Sequence, residues 1–161
     1  MSDYAWTEPK IDWSAGTGAS IYDGDRFTYR DFNRIKNNIM YLYELATQIY
    51  PINAEIARRE ADPSYYFTLT DGYADRTITD FIYADEANFF EERLDFLKTT
   101  TGVQTPGSKS TFNDNGIFMH ANQLNYIEQL TKDLKEFLYP MFISRRRFAF
   151  TLSQATNHMD F

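Results

Sequence analysis

The stretch Phe27–Pro51, FTYRDFNRIKNNIMYLYELATQIYP, decides the fold class. Phe32, Ile35, Ile39, Leu42, Ala46 and Ile49 alternate spacings of three and four, which lines them along one face of a helix. Thr28 precedes that stripe and Asp31 follows it by three places, close to a capping box with Asp standing for the usual Glu or Gln. Pro51 stops the run, because the residue before a proline is pushed out of the α region. The helix is built to be covered, and almost no chemistry accompanies it. The pattern points to an assembly part.

Two further helices follow from the same periodicity. Ala87, Phe90, Leu94 and Leu97 repeat the three-four spacing and Gly102 supplies a stop. Leu124, Ile127, Leu130, Leu134 and Phe137 form a third stripe, with Pro140 at its end. The expected helices lie near Thr28–Tyr50, Asp80–Thr99 and Asn122–Tyr139, with Thr77–Asp80 able to start the second. Between the first two, Ile52–Ala61 reads as a short helix ended by Pro63. Tyr65–Leu69, aromatic and β-branched, reads as a short strand before the turn at Asp71-Gly72. Thr99–Gly116 is a polar loop. Ile35, Ile39 and Leu42 should pack against Leu94 and Leu97, against Ile127, Leu130 and Leu134, or against both. The fold class expected is mainly α, a small bundle of about three long amphipathic helices with an extended N-terminal arm and minor β content.

A weak internal echo runs through the three helices. Asn33-Arg-Ile35, Asn88-Phe-Phe90 and Asn125-Tyr-Ile127 share an Asn, any residue and a large apolar residue, and a leucine follows each Asn by nine places. Nine positions is two and a half turns and keeps no single face. The echo reads as a helical bundle and not as a solenoid.

Domain organisation follows from these elements: residues 1–26 an extended arm, 27–141 the helical domain, 142–161 a C-terminal segment or tail. In the arm, Ala15–Ser20 has neither period, yet Trp6, Ile11, Trp13, Ile21 and Tyr22 are too apolar for a plain disordered tail. Such an arm lies across its own helices or a neighbouring subunit. Trp6, Ile11, Trp13 and Tyr22 are the candidate partner-binding residues, with docking through Trp6 and Trp13, since buried aromatics anchor interfaces. Arg34 and Asn37 lie off the apolar stripe, able to meet the arm or solvent. At the other end, Arg147–Leu152 alternates as a strand would, or extends the third helix past a proline kink. Gln154–Phe161 reads as a tail.

Composition narrows the function classes. The 161 residues suit one domain, and 14 Phe, 12 Tyr and 2 Trp supply a core and, through their polar tips, surfaces that are covered in one state and wet in another. A formal net charge of −7, with only the short cationic run Arg145–Arg147, argues against nucleic acid as the main partner. The absence of cysteine excludes disulfides, thiolate metal sites and cysteine catalysis, and suits a reducing compartment. The N-terminus is not a secretory signal, and no apolar run approaches bilayer length.

Catalytic and metal-binding patterns are lacking as well. His120 precedes the third helix, where a polar side chain can cap, and His158 lies in the tail; neither has a carboxylate at metal-ligand spacing. Asp71–Asp75 does not fit a calcium loop, and Asp85 and Glu86 complement a helix dipole. Glu91, Glu92 and Asp95 read as a solvated face. No pair among the 23 acids is nominated for acid–base work. No cofactor, metal, small-molecule ligand or catalytic residue is expected.

Asp31-Phe-Asn-Arg-Ile-Lys-Asn-Asn-Ile-Met-Tyr-Leu42 resembles segments of small proteins from the structural gene blocks of phages and prophages of Gram-positive bacteria. Those proteins often carry an upstream Pro-Lys-x-Asp-Trp element, matched by Pro9-Lys10-Ile11-Asp12-Trp13, and an aromatic before the helix, matched by Phe27. The likeness covers roughly the first third of the chain, and Phe32 stands where such proteins more often have Tyr. The resemblance implies a virion component of the tail or baseplate, made in the host cytoplasm, contacting itself or other virion proteins, and no catalysis. The alternative classes are a binding module, either a host-surface carbohydrate binder or an acidic inhibitor of a host protein, and an enzyme.

Overall fold

The computed structural model describes residues 5–17, 24–50, 75–80, 83–112 and 120–156, with side chains through 147. Among the described residues there are three helices: α1 (Tyr29–Ile49), α2 (Ala84–Thr101) and α3 (Ala121–Thr156). Among the described residues there is no strand. Ile52–Ala61 and Tyr65–Leu69 lie outside the described residues, so the minor β content is not shown.

Each helix starts the same way. The Thr28 N–H and hydroxyl both donate to the Asp31 carboxylate, at 3.0 and 2.6 Å. The Tyr83 N–H donates to Glu86 at 2.8 Å, and the His120 N–H to the Gln123 side chain at 2.8 Å. In all three, a side chain three residues into the helix reaches back to the residue before it. Thr77–Asp80 does not open α2, contrary to expectation. The Asp80 carboxylate takes the Thr77 N–H and hydroxyl at 2.7 and 2.9 Å, closing a separate turn. Gly102, at φ +74°, ends α2 in the left-handed conformation expected of it and donates to the Lys98 carbonyl at 2.9 Å.

The helices run parallel. Phe32 meets Phe90 near the starts of α1 and α2, with ring centroids 5.0 Å apart, and Tyr43 meets Phe96 further along at 6.1 Å. Arg34 pairs with Glu128 near the starts of α1 and α3, and Arg145 reaches the Gln48 and Ile49 carbonyls at the end of α1, at 2.7 and 2.8 Å. Ile35, Ile39 and Leu42 pack with both expected sets, Leu94 and Leu97 of α2 and Ile127, Leu130 and Leu134 of α3, in one buried cluster. Parallel neighbours need long connections, and the described parts of those connections lie against the helices, at Arg76 on α1 and Phe112 on α2.

Pro140 was expected to end the third helix, and it does not: α3 continues to Thr156. The boundary placed at residue 141 therefore falls inside one helix, and Arg147–Thr156 is helical. A proline within a helix leaves a carbonyl four residues earlier without its partner. That carbonyl belongs to Glu136, on the exposed side where water can replace the lost bond. Half-buried Phe142 and the Arg145 contacts hold the continuation against α1. The guanidinium also places positive charge at the negative end of α1, whose own last turn carries none.

Candidate functional site

Asn33, Asn88 and Asn125, the residues of the echo, each occupy the fifth position of their helix. Each makes the same pair of hydrogen bonds with the backbone of a single extended residue. The Arg76 N–H donates to Asn33 Oδ1 at 2.7 Å and Asn33 Nδ2 donates to the Arg76 carbonyl at 2.9 Å. Phe112 does the same with Asn88, at 2.8 and 2.9 Å. Trp13 does so with Asn125, at 2.7 and 3.0 Å. A primary amide carries one acceptor and one donor group side by side, so it pairs with a peptide backbone and reads nothing of the side chain.

These clamps close a ring. The segment before α2 is held by α1, the segment before α3 by α2, and the arm before α1 by α3. One turn beyond each Asn, a second side chain lies beside the same segment: Lys36 pairs with Asp75, the Glu91 carboxyl lies near the Ser110 backbone, and the Glu128 carboxyl near that of Lys10. Residue numbers fall along each segment as they rise along its helix, so each segment runs antiparallel to the helix that clamps it. Among the described residues, three segment–helix units repeat this arrangement. The sequence echo was the trace of this clamp. Its role was hidden because the bonded partners lie 24 to 112 residues away.

The arm groove lies between α1 and α3. Besides Asn125, Asn38 of α1 clamps Thr7, accepting its N–H at 2.9 Å and donating to its carbonyl at 2.6 Å. Trp13 is 6% exposed and belongs to the main core. Its ring lies 5.9 Å from Phe27, with Lys10 Nζ 4.6 Å and the Arg34 guanidinium 5.9 Å from its centroid. Arg34 bridges Asp31, at 2.7 Å, to the fully buried Glu128. Trp6 is half-buried, 5.6 Å from Tyr41, with Lys135 Nζ 4.4 Å over its ring. Lys10 pairs with Asp25 at 2.5 Å, and Asp25 also takes the Ser14 N–H at 2.8 Å.

The four arm residues singled out from the sequence thus divide. Trp6 and Trp13 lie on the chain's own helices, Ile11 is 41% exposed, and Tyr22 lies outside the described residues. Arg34 does meet the arm. Periodicity had missed the buried charges. Glu91, read as part of a solvated face, is 2% exposed, whereas Glu92 is exposed. Arg93 is buried between the rings of Tyr43 and Phe89, 5.0 and 4.7 Å from their centroids. The available signal was positional, since Glu91 and Glu128 each stand one turn after an echo Asn.

Electrostatics separates the two buried carboxylates. Burial pushes the Glu91 carboxyl up to about 7, opposed by the Ser110 N–H and the Lys109 charge and aided by Asp95. Burial also raises Glu128, opposed by the Arg34 guanidinium bonded to it. Burial works against the charge of Arg34 too, but Glu128 and Asp31 overcome it and hold the guanidinium more firmly protonated than usual. Such groups can hold chain segments in place. Among the described residues, no group of three His, Cys, Asp or Glu side chains could hold a metal ion, and no helix is long and apolar enough to cross a membrane. Compared with protein-family models, with curated proteins and with solved structures, the chain matches none.

Proposed function

We propose that the chain is a non-enzymatic structural component of a phage or phage-derived particle, at the tail or baseplate, acting through contacts with itself and other virion proteins. One observation carries this reading. The two stretches that resemble phage structural proteins, Pro9–Trp13 and Asp31–Leu42, meet in a single cluster built from Trp13 and Arg34 with Asn125 and Glu128 of α3. The shared residues serve to seat an arm in a groove, a structural task that needs no substrate.

The charge distribution supports the same reading. A net charge of −7 disfavours a polyanionic main partner, and contacts between proteins remain the natural use of an arm with exposed Ile11 and half-buried Trp6. Mass spectrometry of purified particles, with copy number, tests the proposal. A fixed stoichiometry supports it, and absence from particles overturns it. A chain lacking residues 1–26 that is still incorporated at full occupancy removes the arm from the assembly role.

A further inference from the structure

The groove between α1 and α3 is a peptide site that holds its occupant by both backbone and aromatic side chains. Four of its hydrogen bonds, two at Thr7 and two at Trp13, go to main-chain N–H and carbonyl groups. The side-chain anchors are Trp13 in the core and Trp6 between Tyr41 and Lys135. The structure shows which peptide satisfies all of them at once, residues 5–13 of this chain. The same segment from a second copy is chemically identical and satisfies them equally.

We infer that this groove exchanges arms between copies, the arm of one subunit seating on α1 and α3 of its neighbour. This inference rests on the assembly role proposed above for its setting. The exchanged and unexchanged forms share every groove contact, the condition under which swapping costs least. The joint lies at Ser14 and Asp25, where the Asp25 N–H donates to the Ser14 carbonyl at 2.8 Å and the Ser14 N–H to the Asp25 carboxylate at 2.8 Å. In the exchanged form Ser14 of one copy faces Asp25 of the other. The eleven-residue step from Ser14 to Asp25 spans at most about 36 Å when extended, against about 31 Å for the length of α1 at 1.5 Å per residue. Eleven residues of chain are therefore long enough to reach a neighbour in contact.

Concentration decides which form prevails. A short tether gives its own arm an effective concentration on the order of millimolar. Dilute protein keeps its arm, and copies packed at comparable local concentration share arms. The other two clamped segments lie between helices of one chain and stay in place.

The test uses the full-length chain in equal 14N- and 15N-labelled portions, unfolded together and refolded at micromolar and at near-millimolar concentration. After dilution, a lysine-reactive cross-linker joins Lys10 to Lys132 or Lys135, and mass spectrometry sorts the products by isotope. Exchange gives mixed-isotope links that rise from near zero towards half of the Lys10 links as refolding concentration rises. Links between Lys98 and Lys109, around an internal segment, stay within one isotope. Lys10 links that remain single-isotope at every concentration overturn the inference, as do mixed links spread equally over both lysine pairs, which mark unspecific association. Absence of the protein from particles would overturn the assembly role and leave this readout unaffected.

Discussion

The arm groove and the groove that holds Phe112 use the same asparagine clamp and treat their buried carboxylates differently. Glu128 sits one turn after Asn125, as Glu91 sits one turn after Asn88. A guanidinium answers the first, because the sixth position of α1 is Arg34 and points across to α3. The corresponding positions of α2 and α3 are Phe89 and Tyr126, both buried among apolar side chains. Both Glu91 carboxylate oxygens are buried without a hydrogen-bond partner, and burial lifts the carboxyl to about 7, offset only in part by the nearby Ser110 backbone and the Lys109 charge. A clamp to backbone can be repeated without change. The charge beside it has to be answered locally, and each groove answers in its own way.

The largest effect should come from removing that answer in the arm groove. Arg34→Ala leaves Glu128 buried without its guanidinium and should cost about 3–5 kcal/mol, more at pH 8 than at pH 5, because protonation relieves the stranded carboxylate; denaturant titration at both values checks it. Ile39→Ala tests the core common to both grooves and should cost about 2–5 kcal/mol. A change near zero would mean that this face is not the packed core described here.

Glu91→Gln should act in the opposite direction. Its folded carboxyl lies above the usual 4.5, so the folded state holds the extra proton and stability falls as pH rises from about 4.5 to about 7. The rise from 4.5 to about 7 sets an upper bound of about 3 kcal/mol, which the Gln variant should regain at pH 8 while losing the slope in that window. Equilibrium unfolding at pH 4.5, 6 and 8 decides this. A wild-type stability that stays level across the range would remove the contrast between the two carboxylates.

Asn88→Ala and Asn125→Ala should cost nearly equal amounts, about 1–3 kcal/mol each, since each leaves a backbone N–H and carbonyl without partners. Unequal costs would show that one segment seats mainly through its side chains. The smallest effect belongs to the neighbour of Glu91: Glu92→Gln, on the exposed side of α2, should change stability by less than about 0.5 kcal/mol.

Much of the fold was legible in the sequence. The three apolar stripes name the helices, and Thr28 with Asp31 and Gly102 mark ends that the structure keeps. Ile35, Ile39 and Leu42 are buried as their spacing required. The candidate site was legible only as fragments. Trp13 stood out as an anchor, and the three asparagines stood out as an echo without a role. Glu91 looked like surface because its neighbours Glu92 and Asp95 are acidic, and nothing local says that residues 108–112 will fold over it. The helical path through Pro140 was hidden for a similar reason, since the contacts that hold it come from the end of α1, nearly a hundred residues earlier in the chain.

Helix positions, caps and buried faces are properties of neighbours within a turn or two of one another, so composition and spacing alone carry them. The parallel course of α1, α2 and α3, the choice of which segment lies in which groove, and the pairing of Arg34 with Glu128 join residues tens of positions apart. An asparagine amide accepts any backbone, and a buried carboxylate accepts any cation that reaches it. Such groups specify a kind of partner but no particular one, and packing of the three helices selects which segment and which charge arrive.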